Sequence, residues 1–273
     1  MKEIGLHIRI DHSPLEAIEK AIAIGIPYFQ CFFVSQATGI FVKLTEKEKK
    51  QFLSLRRKHF KDLFLHSAYW INLCSQKTMY RSLEHELVLA KQLEFTHIVL
   101  HPGSAKRLGC KQKGIDNLVR TLNTVIKKEK DITIVLENTA HGHLTVGSDI
   151  NDFVTILQKI DNPDRITFCI DTAHAYCYGY DIAKDQGYID FITLLAKSVG
   201  LEKISLIHLN DTKQQCGSKI DQHCAVGEGS LNSRLRLFAC EKKLRHVPMV
   251  MELPVLHEQK EKEILNLVKN WRI

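Results

Sequence analysis

The sequence predicts an α/β fold, a single-domain (β/α)8 TIM barrel spanning residues 1–273, and three observations support it. Eight short apolar runs recur with helical patterns between them, and this alternation argues for parallel strands joined by crossover helices. No Pro-, Gly- or Ser-rich linker, charge block or low-complexity tract divides the 273 residues, and a barrel of this kind typically needs about 250. Six of the eight runs end on His, Asp or Glu, at the strand ends where a parallel barrel places its chemistry. An open doubly wound sheet would draw its ligand site mainly from one switch point, so candidates spread over strands three to eight favour closure.

The first run, about residues 3 to 8, leads into a helix with Ser13 as N-cap, Pro14 at the first helical position and Glu16 placed for a capping box. Leu15, Ile18 and Ile22 share its apolar face, and Gly25 stops it. The second run, about 28 to 34, passes into FFVSQATGIF. The helical stretch beyond it interleaves Lys47, Lys49, Lys50, Arg56, Arg57 and Lys58 with Glu46 and Glu48, the pattern of a solvated face. The third run, about 62 to 66, closes on His66, with Tyr69 and Trp70 just past it. The fourth, about 97 to 101, closes on His101 and is followed by Lys106, Arg107, Lys111 and Lys113.

The fifth run, about 132 to 137, ends on Glu137, and a helix starting at Ser148 or Asp149 follows with Phe153, Ile156, Leu157 and Ile160 before the Asn162-Pro163 break. The sixth, about 166 to 171, ends on Asp171, with His174 three residues on. The seventh, about 204 to 209, holds His208 and is followed by Lys213, Lys219 and the triplet Asp221-Gln222-His223. The eighth, about 247 to 252, ends on Glu252. These runs are rich in Val, Ile, Leu and Phe, as strands covered on both sides must be.

Hydrophobic content of 44% and charged content of 25% are those of a soluble globular protein, and no window approaches the roughly 18 apolar residues of a membrane span. Charge interrupts MKEIGLHIRID too early for a secretory segment, so a cytoplasmic location is expected. The eight cysteines form no CxxC pair, which excludes a zinc ribbon or a thioredoxin-like motif, and reduced thiols are expected. Cys169 reads as core, whereas Cys216 and Cys224 flank the Asp221/His223 loop. A net charge of +7 favours a polyanionic partner. Lysines on the loops after His101 and His208 are the suggestive ones, because those loops belong to the ligand-bearing rim.

Five imidazoles and four carboxylates suit a zinc cluster, since zinc takes both ligand types at about 2.0 to 2.2 Å and neighbouring ions need carboxylates that bridge them. Such a cluster stays positive and suits an anionic phosphodiester. Singly, each residue has a plainer reading: His66 or His208 as a core histidine, Asp171 as the cap of the next helix. His141 and His143, in HGH, read as a solvated loop, and Glu228 reads as part of the turn between its glycines.

The stretches HPGS at 101–104, ENTA at 137–140, CIDTAHAYCYGYD at 169–181, HLNDTK at 208–213 and GSKIDQHCAVGEG at 217–229 resemble endonuclease IV, the zinc-dependent apurinic/apyrimidinic endonuclease family. The resemblance runs from about His66 to Glu252, with the expected residue type at all nine positions. It implies three zinc ions: one on His66, His101 and Glu137, a second on Glu137, Asp171, His208 and Glu252, and a third on His174, Asp221 and His223. It also implies Glu137 and Glu252 as catalytic carboxylates, and a monomer acting on duplex DNA that carries abasic sites or blocked 3′ ends, with no membrane partner. In that scheme water activated between the first two ions attacks phosphorus in line 5′ of the abasic site, the third receives the departing 3′ oxygen, and a 3′-hydroxyl remains. Tyr69 and Trp70 occupy the place of the family's DNA wedge, and Lys213 is a further DNA-contact candidate. Where the family inserts an arginine after strand two, this sequence offers Gln36 and Thr38 instead.

Two rival classes are weighed against this. A xylose-isomerase-like sugar isomerase or epimerase would use a quartet such as Glu137, Asp171, His208 and Glu252 with one or two metals, but it has no use for the other five ligands. A silent DNA-binding module would close its zinc sites, whereas the implied ligand sets leave water positions open.

Overall fold

A computed structural model describes residues 4–35, 38–75 and 80–271. Eight parallel strands close into a barrel: β1 (Ile4–His7), β2 (Phe29–Cys31), β3 (Phe64–His66), β4 (His97–Leu100), β5 (Thr133–Glu137), β6 (Ile166–Asp171), β7 (Ile204–His208) and β8 (Met249–Met251). Each strand pairs with its neighbours in sequence, and β1 pairs with β8 through Ile4↔Met249, Gly5↔Val250 and Leu6↔Met251. The ordered strands are shorter than the apolar runs that announce them. The run at 28–34, for instance, keeps regular pairing only over Phe29–Cys31.

Period-two alternation explains both the core and the site. Tyr28, Phe64, Val99, Val135, Cys169, Leu206 and Val250 form a buried cluster of their own inside the barrel, while neighbours such as Phe29, Leu65, Ile98, Leu136, Ile170 and Ile207 belong to the shell packed under the helices. On β1 the matching place is Gly5, where a Cβ would come within 2.6 Å of Tyr28. Two residues beyond each of these eight positions stand His7, Gln30, His66, His101, Glu137, Asp171, His208 and Glu252. A strand returns to the same face every second residue, so the apolar plug and the polar mouth follow from one rule.

Helices α1 (Pro14–Ile24), α2 (Glu46–His59), α3 (Tyr80–Gln92), α4 (Lys111–Lys128), α5 (Asn151–Lys159), α6 (Thr172–Tyr178), α7 (Asp185–Ser198), α8 (Leu235–Cys240) and α9 (Glu258–Trp271) surround the barrel. Gly25 ends α1 in the left-handed region at φ 74°, as expected. The capping box expected there does not form. Ser13 accepts from Leu15 N–H, and Glu16 reaches back to the N–H groups of Asp11 and His12, because the loop folds over the helix start. The reciprocal box occurs on α2 instead, between Thr45 and Glu48. Helix α5 starts later than Ser148 or Asp149: Asp149 accepts from Asn151 N–H at 2.9 Å, while Ser148 turns to Thr139. Among the described residues no helix is long and apolar enough to cross a membrane.

Candidate metal centre

All nine predicted ligands gather at the C-terminal mouth of the barrel, brought by three kinds of element. His66, Glu137, Asp171 and His208 end strands, and His101 and Glu252 follow β4 and β8 directly. His174 lies on α6, and Asp221 and His223 lie on the long loop after β7. Glu137, fully buried, is the hub: its Oε2 is 3.0 Å from Nε2 of both His66 and His101, and its Oε1 is 2.9 Å from Nδ1 of His208 and 3.3 Å from Nδ1 of His174.

Asp171 caps a helix, as the sequence allows, and also faces two ring nitrogens. One oxygen caps α6 by accepting from His174 N–H at 2.7 Å, and the other lies 3.6 Å from His223 and 3.8 Å from His208. Glu252 Oε2 stands 3.5 Å from His208 Nδ1. Asp221 Oδ1 stands 2.9 Å from His174 Nε2 and 3.6 Å from His223 Nε2.

The contacts at 2.9–3.0 Å lie in hydrogen-bond range, whereas those at 3.3–3.8 Å match donors that share a cation. Two donors held by one tetrahedral zinc at about 2.0–2.1 Å stand about 3.3 Å apart. Ligand atoms of His66, His101 and Glu137 lie within 4.8 Å of one another, as do those of Glu137, Asp171, His208 and Glu252, and those of Asp171, His174 and His223. The third group therefore closes on Asp171, with Asp221 beside it on the outer side. His223 Nε2 is buried without a hydrogen-bond partner among the described residues, the state expected of a lone pair turned toward a cation, and His174 Nε2 faces Asp221 Oδ1 at 2.9 Å. A triad of Glu137, Cys169 and His208 also falls within ligand distance, but burial pushes the Cys169 thiol up to about 12, so it stays protonated core as predicted.

Electrostatics agree with a centre that demands positive charge. Burial alone would raise the Glu137 carboxyl, yet the rings of His208 and His101 hold it well below the usual carboxylate range. Burial disfavours a charged His174, but Asp171 and Asp221 outweigh it and hold the imidazole well above its ordinary value. Protons on imidazoles and cations compete for the same carboxylates.

Several residues that the sequence reading passed over build the supporting layer. Gln30, fully buried on β2, donates to Glu252 Oε1 at 2.7 Å and lies 2.9 Å from both His7 Nδ1 and His208 Nε2. Asn138 and Asn210 bind the main chain and side chains of Asp171 and Glu252. Asp211, also fully buried, accepts from the N–H groups of Thr212, Gly227, Gly229, Leu231 and Asn232, which fastens the chain beyond His223. Asn138, Asn210 and Asp211 lie inside the motifs quoted above, one to three residues past a ligand, and that position was the available signal.

The rim is only partly as predicted. Tyr69 projects, 74% exposed, and Trp70 packs partly buried against the core with its ring 5.2 Å from that of Tyr69. Lys213, Lys106, Arg107 and Lys113 are exposed. Lys111 and Lys219 are not free rim cations: the first pairs with Asp152 at 2.6 Å, and the second lies over the Tyr178 ring. Thr38 lies beside Ser35 on the loop after β2, and Gln36 is outside the described residues. Arg9, after β1, is exposed on a groove of ≈ 290 Å³ that His7, Phe32, Asp221, His223 and Glu252 also line. His141 leans on the Lys219 carbonyl at 3.2 Å, outside every ligand group, and Glu228 adds to its turn an ion pair with Lys260 at 2.7 Å.

A sequence profile described as "Xylose isomerase-like TIM barrel" matches residues 18–269. A probable endonuclease 4 from Thermosipho melanesiensis is 31% identical over 98% of this chain and 99% of its own length, and one from Thermotoga maritima is 30% identical over 97% and 95%. The crystal structure of endonuclease IV from Thermus thermophilus superposes with a TM-score of 0.85 at 26% identity, covering 98% of each chain. A D-tagatose 3-epimerase-like protein shares the fold at 17% identity and a TM-score of 0.69, over 98% of this chain and 96% of its own.

Proposed function

Because this chain belongs to the endonuclease IV family, within the xylose isomerase-like TIM barrels, we propose that it is a zinc-dependent endonuclease that cleaves duplex DNA 5′ of abasic sites. It leaves a 3′-hydroxyl, and it also clears blocked 3′ ends. The observation that carries this reading is the convergence of nine ligand-type side chains around Glu137, whose two oxygens face different histidine pairs.

His66, His101 and Glu137 would hold one ion, Glu137, Asp171, His208 and Glu252 a second, and His174, Asp221 and His223 a third, with Asp171 at the border of the last two groups. Zinc held there supplies Lewis-acid charge to the scissile phosphate and makes water a better nucleophile at neutral pH. The protein's own part is placement. Glu137 and Glu252 fix the spacing of the charges, Asn210 and Gln30 keep Glu252 turned inward, and the exposed Tyr69 offers a ring for stacking at the damaged step. Tyr69 is the side chain shaped for insertion, and Trp70 is its wall.

An epimerase of the same fold would employ the Glu137, Asp171, His208 and Glu252 quartet alone. It leaves His66 and His101 on Glu137, His174 on Asp221, and the orphaned nitrogen of His223, without a task.

The deciding experiment incubates purified, metal-analysed protein with a duplex that carries one tetrahydrofuran abasic analogue, beside an undamaged control. A single nick with a polymerase-extendable 3′ end, and close to three zinc ions per chain, is expected. Intact DNA together with about one metal per chain would overturn the assignment. Binding should weaken steeply with salt through counterion release.

A further inference from the structure

Within the metal-centre reading above, we infer that Gln30 is a positioning residue that decides which nitrogen of His208 faces the second ion and holds Glu252 turned toward the same ion. Its amide orientation follows from chemistry. Glu252 is an acceptor only, so the group 2.7 Å from its Oε1 must be the Gln30 NH2, which leaves Gln30 Oε1 facing His208 Nε2 at 2.9 Å. A flipped amide would set oxygen against carboxylate and NH2 against a nitrogen that already needs an acceptor.

With the amide fixed, the imidazole tautomers follow. His208 must carry a proton on Nε2 and donate it to Gln30, so in the neutral, ion-bound ring the lone pair lies on Nδ1, in place of the proton that Nδ1 shares with Glu137 Oε1 without an ion. That nitrogen looks into the cluster, 2.9 Å from Glu137 Oε1 and 3.5 Å from Glu252 Oε2. His7 receives the other Gln30 N–H on Nδ1 at 2.9 Å, and its Nε2–H is left without a partner among the described residues. One buried amide thus joins β1, β7 and β8 and settles the orientation of a ligand histidine and a ligand carboxylate. A ligating imidazole whose outer N–H is held binds its metal more tightly, typically by about 10- to 100-fold.

The test has two parts. Long-range 1H–15N spectra of the zinc-loaded, 15N-histidine-labelled protein should place a slowly exchanging proton on His208 Nε2. Metal on Nε2, or a rapidly exchanging proton there, overturns the inference without any variant. Gln30→Met keeps the length and the burial but neither donates nor accepts. It should weaken one zinc of the set by about 10- to 100-fold in chelator competition while the other two hold. Wild-type affinity for all three ions in Gln30→Met overturns the assignment. A wild-type protein that binds no zinc sinks the metal-centre reading itself, and loading with an unchanged variant sinks only the role of Gln30.

Discussion

Strands β3 to β8 and strands β1 and β2 occupy equivalent places in one closed barrel, yet they do different work at the mouth. Each of the six delivers a ligand-type residue two positions beyond its apolar plug. The other two deliver His7 and Gln30, which touch candidate ligands rather than standing among the candidate ligand groups. Equivalent backbone geometry therefore supplies both the charges and the hydrogen bonds that orient them.

The sharpest way to break this contrast is Glu137→Gln. Losing the charge that both histidine pairs share should cut incision of an abasic duplex by about three to four orders of magnitude, with the circular dichroism unchanged. Turnover near the wild-type rate would end the hub role. The double variant Asp221→Asn, His223→Asn removes loop-borne rather than strand-borne groups, so it should release one metal and slow incision by about a hundredfold. Elemental analysis decides this, and an unchanged metal content would contradict a third ion. His7→Phe sits on the supporting side, and an effect on incision of about tenfold is expected. A loss as large as that of Glu137→Gln would erase the distinction between the two sets of strands.

The smallest effect on chemistry, and a measurable one on stability, belongs to Glu86 of α3. One oxygen accepts from Ala68 N–H at 2.9 Å, just past His66, and the other has no partner among the described residues, so burial pushes the carboxyl up to about 8. An acid whose folded value is raised binds its proton more tightly when folded. The stability it contributes as a neutral group is therefore lost as pH climbs from the ordinary 4.5 toward about 8. Glu86→Gln stays neutral throughout, so its advantage over the wild type should be absent near pH 4 and grow to about 4 kcal/mol near pH 8. Denaturant midpoints at the two pH values test this, and an advantage independent of pH would refute it.

The sequence by itself determined the barrel, the eight strand positions and the six ligand-type residues at strand ends. Those features are written locally, in apolar runs of strand length and in the residue that terminates each one. It misplaced the capping box on Glu16 and started α5 early, because a nearby loop offered those side chains other partners. It singled out Lys111 and Lys219 by their place on the rim, and only tertiary structure shows the first paired with Asp152 and the second lying over the Tyr178 ring.

Only the tertiary structure decided which residues support the candidate ligands. Gln30 meets His208 across 178 positions of sequence and Glu252 across 222, and Asp211 meets N–H groups 16 to 21 residues further on. A hydrogen bond is a statement about distance in space, and such distances exist only once the barrel has closed.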